Sequence, residues 1–447
     1  MRRIIGIELR RSHAPTLAVL IIVVSAGALA AAGASWSGQW LRFGYDHASA
    51  LFILAPLALA GGAMLGRGER RTRAEELHGS TARPRWQRVT PTAAALAIAV
   101  AVAHLLVFAA GTAIVATRAT YLSAGPVLIP LADVTILAGA AVLGLAAGRA
   151  WPSPLVPPAL AVVGLLVQVV AADRTPGTIT RLDNLSLLAQ PPTYDWDVTT
   201  GRAVLGHLVL GAGLALGGFV LAAAASWLPR VVAVAVLAAA LVAAAVLPGT
   251  RMADRYRVDL AAQRLVCADG TPQVCVTAVH AATLEAAAPQ VRRALDLLGK
   301  LPGGPSQAVE WRAAGIYEPG SADADPPTVP AGPGTVAFDL GLDDAGHVAP
   351  DLTETIVYGA GTSRLGCEPA DEAARAAAGA WLLGADDLNV SDLPGDDEEI
   401  HTQAREALRR LRTLPAAEQT RRVTALRDAA LTCSTDLLPL LTGHPSS

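Results

Sequence analysis

The chain has 447 residues, of which 52% are hydrophobic and only 16% charged, with a formal net charge of -3 and a mean hydropathy of +0.42. Soluble domains carry roughly 25% charged residues, so the shortfall excludes a wholly soluble chain of ordinary composition. A near-neutral balance without a Lys/Arg tract excludes a nucleic-acid-binding protein.

Charge is unevenly placed. Up to about residue 247 it sits in short clusters between apolar runs; beyond that it is spread through the sequence. The first twelve residues, MRRIIGIELRRS, put Ile4, Ile5 and Leu9 on one helical face, with Arg2, Arg3, Arg10 and Arg11 at its edges. Such a helix lies in the membrane interface before turning into the bilayer, and Glu8, Leu9, Arg10, Arg11 and Ser12 form its approach to the first span. A spanning helix needs about 20 mainly apolar residues, because the bilayer offers no partner to an unpaired backbone group. Seven stretches qualify: 15–34, 49–66, 92–116, 127–148, 155–172, 203–226 and 231–247. The weakest is 155–172, short and with Pro157 and Pro158 near its start. A cleaved signal peptide is the competing reading of the first run, with Ala32-Gly33-Ala34 as the cleavage site. The run is long for that purpose, and another span follows closely.

Between the second and third spans lies RGERRTRAEELHGSTARPRWQRVTP, residues 67–91. Arg67 to His78 reads as a short charged helix with Arg71 and Glu75 at i,i+4 spacing. Gly79-Ser80-Thr81 ends it, and Trp86 suits the headgroup level on the return. The segment is either a basic loop that fixes topology or a contact for a cytoplasmic partner. Arginine placement orients the chain: Arg149 and Arg230 mark turns on the same side as this loop and the N-terminus. The opposite loops hold fewer arginines, partly offset by Asp46, Asp173, Asp183, Asp195 and Asp197. The N-terminus is therefore expected in the cytoplasm of a cell-membrane protein, and with seven crossings everything after Gly249 lies outside. All four cysteines, Cys267, Cys275, Cys367 and Cys433, fall in that tail, as disulfides on an oxidising side require. Of three connectivities, Cys267–Cys275 with Cys367–Cys433 is preferred.

Polar residues inside the spans are few: His104, Asp133, Gln168 and His207. Intramembrane ionisable groups are costly and draw a functional hypothesis by default. Asp133 lies near the outer interface, where water reaches, and neutral histidines can bond another helix, so the structural reading is preferred for all four. Gly211, Gly213, Gly217 and Gly218 read as permitting close helix packing.

Residues 249–447 form one domain of ordinary size, after a transmembrane bundle of 1–248. Strands are expected at Val258–Leu260, Leu265–Cys267, Val274–Val279, Ala308–Trp311 and Thr335–Phe338, and a helix at Leu284–Leu301. Helices 369–384, 398–413 and 416–432 follow a Pro/Gly/Asp-rich loop at 318–333. The fold class is thus an α-helical polytopic membrane protein of about seven spans plus an α/β extracytoplasmic domain ending in helices. The domain shows no H-E-x-x-H, and His280, His347, His401 and His444 lack metal-ligand spacing. Gly359-Ala360-Gly361-Thr362-Ser363 reads as a turn. Neither a metal nor a cofactor is expected.

Three segments carry a resemblance. ELRRS at Glu8–Ser12, the charged loop after the second span, and LGLAAGR at Leu143–Arg149 resemble the permease subunits of type-2 ATP-binding-cassette exporters of actinobacteria. The resemblance covers roughly residues 1–230. It implies that Arg70, Arg71, Arg73, Glu75, Glu76 and Leu77 form a coupling helix against a separate ATPase subunit, and that permease subunits pair as homo- or heterodimers. The family usually has six spans, so a seventh leading to an outside domain is an elaboration. VCVTAVHAATLEAAAPQVRRALDLLG is similar to the start of the gluzincin-like outside domains of some such permeases, with the zinc ligands gone. No Walker A pattern, G-x-x-x-x-G-K-[ST], occurs, so any ATPase is another chain. The expected function is a transport subunit, not an enzyme. The alternative is a membrane-anchored binding, sensor or scaffold protein, and a surface peptidase ranks last.

Overall fold

A computed structural model describes residues 6–9, 12–33, 35–71, 84–123, 125–172, 180–187, 192–318, 328–332, 334–343, 346–363, 371–387, 398–434 and 436–443. It divides into two compact units: Met1–Asp259 with Ile316–Asp325, and Leu260–Gly315 with Pro326–Ser447. The first unit therefore runs past Gly249 and takes in a short return near residue 316.

The first unit is a helical bundle. Its helices are α1 (Ala14–Ala31), α2 (Trp40–Ser49), α3 (Leu51–Arg71), α4 (Arg85–Val115), α5 (Gly125–Ala150), α6 (Val156–Ala172), α7 (Gly201–Ala223) and α8 (Trp227–Val246). Among the described residues six stretches are long and apolar enough to cross a membrane, α2 and α3 counting as one over Trp40–Gly68; α6, at 17 residues, is a shorter apolar helix. Val162, Val163, Leu166, Val167 and Val170 on α6, and Val231, Val234 and Val242 on α8, are exposed. Faces that apolar are costly in water and suit lipid.

Two predicted boundaries change. Residues 35–48, expected to be a loop, fold as a 3₁₀ turn (Ser35–Gly38) and the aromatic helix α2. No proline separates Trp40 from Ser49, and Trp40, Leu41, Phe43, Tyr45, His47 and Ala48 are buried. The charged helix expected to start at Arg67 is instead the continuation of α3, which reaches Arg71. Residues 72–83 lie outside the described residues, and with them Arg73, Glu75, Glu76 and Leu77, as do Arg10 and Arg11.

Glycines bring the helices together. Gly62 and Gly66 on α3 face Gly144 and Gly148 on α5, two G-x-x-x-G pairs in register: a Cβ at Gly144 would stand 1.9 Å from the Leu59 carbonyl oxygen, and one at Gly62 1.9 Å from that of Ala141. Gly211, Gly213, Gly217 and Gly218 on α7 likewise abut α5 or α8, where a Cβ would come within 2.7 Å of a neighbour. Small residues that admit backbone contact are how helices associate when lipid removes the hydrophobic drive.

The helices alternate between two ends of the bundle. At one end Arg85 donates to the Ala224 carbonyl, and Gly66 abuts Arg149. At the other, Arg118 donates to Ser37, Trp40 to the Ser123 carbonyl, and Asn184 to the carbonyls of Ala245 and Gly249. Strands β1 (Asp197–Thr199) and β2 (Tyr256–Val258) pair antiparallel at this second end. The strand expected at Val258–Leu260 thus lies slightly earlier and completes the bundle unit.

The second unit holds a four-stranded sheet in the order β3 (Leu265–Cys267), β4 (Gln273–Thr277), β5 (Gln307–Glu310), β6 (Thr335–Phe338). β3 and β4 are antiparallel, and β4, β5 and β6 are parallel. Helix α9 (Leu284–Leu298) makes the β4-to-β5 crossover, burying Ala287, Val291, Ala294, Leu295 and Leu298 at helical spacing. Helices α10 (Leu352–Val357), α11 (Glu372–Leu383), α12 (Glu398–Arg412), α13 (Ala416–Leu431) and α14 (Leu438–Thr442) complete it. One core runs from Val274 and Val276 through Phe338, Leu352 and Ala377 to Leu411 and Leu426. Cys267 and Cys275 are paired directly across β3 and β4 and form a disulfide. Cys433 is also disulfide-bonded; Cys367, the partner expected for it, lies outside the described residues.

Candidate functional site

The bundle's polar side chains collect near its second end. Helix α2 delivers His47 (1% exposed), α4 His104 (0%) and α5 Asp133 (3%). His104 Nε2 stands 3.4 Å from Asp133 Oδ2, and the two imidazole rings lie 4.2 Å between centroids. Phe43 and Phe108 pack on His47 at 5.9 and 5.3 Å, which shields that ring on its aromatic side. A Cβ at Gly111 would enter the Phe43 ring at 2.2 Å, so that glycine is what admits Phe43. One potential ligand atom from each of His47, His104 and Asp133 lies within 4.8 Å of the others. Among the described residues this is the one group of three or more so placed.

Asp133 also lines a cavity of about 100 Å³ whose wall includes Tyr45, Asn184, His207, Arg255 and Tyr256. Drug-sized ligands need roughly 300–1,000 Å³, whereas a water needs only about 10–15 Å³. The cavity therefore suits water or a small polar group and not a bulky cargo. Its walls are tied by Tyr45, whose hydroxyl lies 3.0 Å from Thr199 Oγ1 and 3.3 Å from the Asp197 carbonyl it donates to. Glu318 reinforces this end by accepting from the Met252 and Ala253 amides at 2.9 and 2.8 Å, which satisfies two donors of the helical turn at Met252–Arg255.

Beneath Tyr45, Asp197 is 1% exposed, and neither carboxylate oxygen has a hydrogen-bond partner among the described residues. Burial pushes its pKa up to about 7; the Tyr194 backbone counters that rise, and the nearby Asp195 charge adds to it.

Of the four intramembrane polar residues expected from sequence, the fold brings His104, Asp133 and His207 to one place. Gln168 is not among the cavity walls; its Oε1 accepts at 2.6 Å from the amide of Leu187, which is one of them, a structural role. His47, Tyr45, Asn184 and Arg255 were missed. His47 and Tyr45 were lost with the misread loop, and the signal was the unbroken aromatic helix Trp40–Ser49. The N-terminal segment is helical at residues 6–9; the Ser12 amide bonds the Glu8 carbonyl at 3.0 Å, the Ser12 hydroxyl accepts from the Ala14 amide at 3.2 Å, and Leu9 packs on the bundle core. Arg70 and Arg71 form the last turn of α3.

In the second unit the buried histidine is structural. His280 Nδ1 lies 2.5 Å from Glu310 Oε1, while Oε2 accepts from the Thr277 amide at 2.6 Å. His347 pairs with Asp343 at the surface, and His401 stands 3.7 Å from Asp387. Residues 359–363 form a turn with Gly359, Ala360 and Gly361 at positive φ. No family model, curated protein or solved structure matches the chain.

Proposed function

We propose that the chain is the transmembrane subunit of an ATP-binding-cassette type exporter, driven by a separate ATPase and paired with a second permease subunit. In this reading it crosses the membrane seven times, with a cytoplasmic N-terminus and an extracytoplasmic C-terminal domain. The observation that carries it is the polarity of the bundle. Arg67, Arg85, Arg149 and Arg230 stand at one end of the helices, where the charged loop begins and ends. The polar cavity lies at the other. A transport subunit driven from the cytoplasm needs a charged contact at one face and a polar opening at the opposite one.

The alternation of the helices supports an odd number of crossings. The 17 residues of α6 extend only about 25 Å against a hydrocarbon core of about 30 Å, a mismatch that local thinning absorbs at modest cost. The Cys267–Cys275 bridge favours an oxidising compartment for the tail. A membrane-anchored binding or sensor protein is the second reading, favoured by the second unit's own continuous core.

The test is co-purification from native membranes. An ATPase bearing a Walker A motif should accompany the wild-type chain, and the double substitution Glu75→Arg/Glu76→Arg should abolish the association while leaving the amount and melting of the membrane protein unchanged. A wild-type chain that purifies without any ATPase, or a double variant that keeps it, overturns the reading in favour of the anchored binding protein.

A further inference from the structure

We propose that His47, His104 and Asp133 bind a divalent transition-metal ion of the zinc class, clamping α2, α4 and α5 together beside the cavity. The argument starts from unmet valence. Buried polar groups in folded proteins are nearly always hydrogen-bonded, yet among the described residues no hydrogen bond of ordinary geometry reaches either ring nitrogen of His47 or Nδ1 of His104, the His104 backbone being only a loose partner of His47. Three buried nitrogens without a well-formed hydrogen bond in one cluster need an explanation.

The side-chain contact inside the cluster is a poor hydrogen bond. His104 Nε2 to Asp133 Oδ2 is 3.4 Å, beyond the usual 2.7–3.2 Å of an N–H···O bond. It does match a coordination edge: two ligands on a tetrahedral ion with bonds of about 2.0–2.1 Å lie roughly 3.3 Å apart. The ligand atoms of all three residues lie within 4.8 Å of one another and would draw together around such an ion.

Donor chemistry sets the ion's class. Two imidazoles and one carboxylate suit zinc and its first-row neighbours, whereas calcium and magnesium prefer all-oxygen sets. Three protein ligands leave one position, and since Asp133 is also a cavity wall, water can reach it. The ligands come from three different helices, so the ion would hold the end of α2 against α4 and the first part of α5. This holds whether or not the bundle transports anything.

The experiment uses the full-length chain, purified in detergent through a tag without histidine, loaded with Zn²⁺ or Co²⁺ and passed over a desalting column. Elemental analysis should return about one equivalent of metal per chain, and the Co²⁺ form should show the visible absorption of a four-coordinate site. His47→Ala/His104→Ala should lower retained metal at least about tenfold and abolish that absorption, while His347→Ala, at the exposed histidine of the second unit, should leave both unchanged. If the double variant does not fold, Asp133→Asn carries the test, since it keeps shape and polarity but removes the anionic ligand; it too should lower retention about tenfold or more. Monodisperse wild-type protein that retains no metal after loading overturns the proposal, and so does equal retention by the folded variants.

Discussion

Replacing Gly144 by alanine tests whether α3 and α5 touch as closely as their glycines allow. The added Cβ would stand 1.9 Å from the Leu59 carbonyl oxygen and 2.8 Å from its carbon, below the 3.0 Å that real Cβ atoms respect. Moving from 1.9 to 3.0 Å requires about 1.1 Å of local separation. The obstacle is backbone on a neighbouring helix, with no flexible side chain to swing aside. A gap of 0.5–1 Å already forfeits a quarter to a half of each dispersion contact it opens, and overpacking of this kind costs about 1–3 kcal/mol. Gly148 would meet the Ala63 carbonyl oxygen at 2.1 Å, one turn along the same seam, so the double variant should lose more than either single one. The control is Gly27→Ala on α1, where a Cβ has nothing within 4 Å and alanine should gain up to about 1 kcal/mol of helix propensity. Unfolding by sodium dodecyl sulfate in mixed micelles, followed by circular dichroism, measures all of them. Should Gly144→Ala unfold at the same detergent fraction as wild type, the close seam does not exist.

Two further outcomes follow from the same geometry. Asp197 has a folded pKa of about 7 against an ordinary 3.8. Between about pH 4 and 7 the folded chain keeps a proton that the unfolded chain has released, so stability falls as pH rises through that window. Asp197→Asn should therefore match wild type near pH 4 and exceed it at pH 8 by on the order of 1–3 kcal/mol; parallel melting profiles across that range would remove the carboxyl as the cause. Joint replacement of Cys267 and Cys275 by alanine opens a closure of 8 residues, worth about 2–3 kcal/mol by loop entropy. The full-length chain should then melt lower, and non-reducing peptide mapping of wild type should recover the Cys267–Cys275 pair.

How much of this could be read from the sequence depends on how local its cause is. The strands at Leu265–Cys267 and Thr335–Phe338 and the helix from Leu284 are fixed by their own periodicity, and the structure places them at or near the expected residues. So are the spans, whose signal is a run of apolar side chains. Residues 40–49 defeated that reasoning because Arg42 and Asp46 break the apolar average, although the helix they sit in buries its aromatic face. The strand near Val258 was legible as a strand, but its partner at Asp197–Thr199 is distant in sequence, and short pairings leave no periodic mark. The polar cluster failed for the same reason twice over. His104 and Asp133 were visible as costly residues, yet their meeting depends on helix packing, and the third member sat in a segment read as loop.

The distribution of residue sizes along the bundle gives a reason for the site's position. Toward the end that carries Arg85 and Arg149, α3 and α5 meet backbone to backbone through Gly62, Gly66, Gly144 and Gly148, and nothing larger than a hydrogen separates them there. Toward the other end α2 inserts Trp40, Phe43, Tyr45 and His47 among the helices, with Phe43 stacked on Phe108 at 5.2 Å. Helices pinned by glycine at one end and wedged by aromatics at the other must diverge, because interiors tolerate neither overlap nor large voids. The cavity beside Asp133 and His207 lies toward this wedged end. Polar groups are affordable only where such space admits water or an ion. The bundle therefore keeps its buried histidines and Asp133 toward the wedged end, while Arg85 and Arg149 stand at the end of the glycine seam.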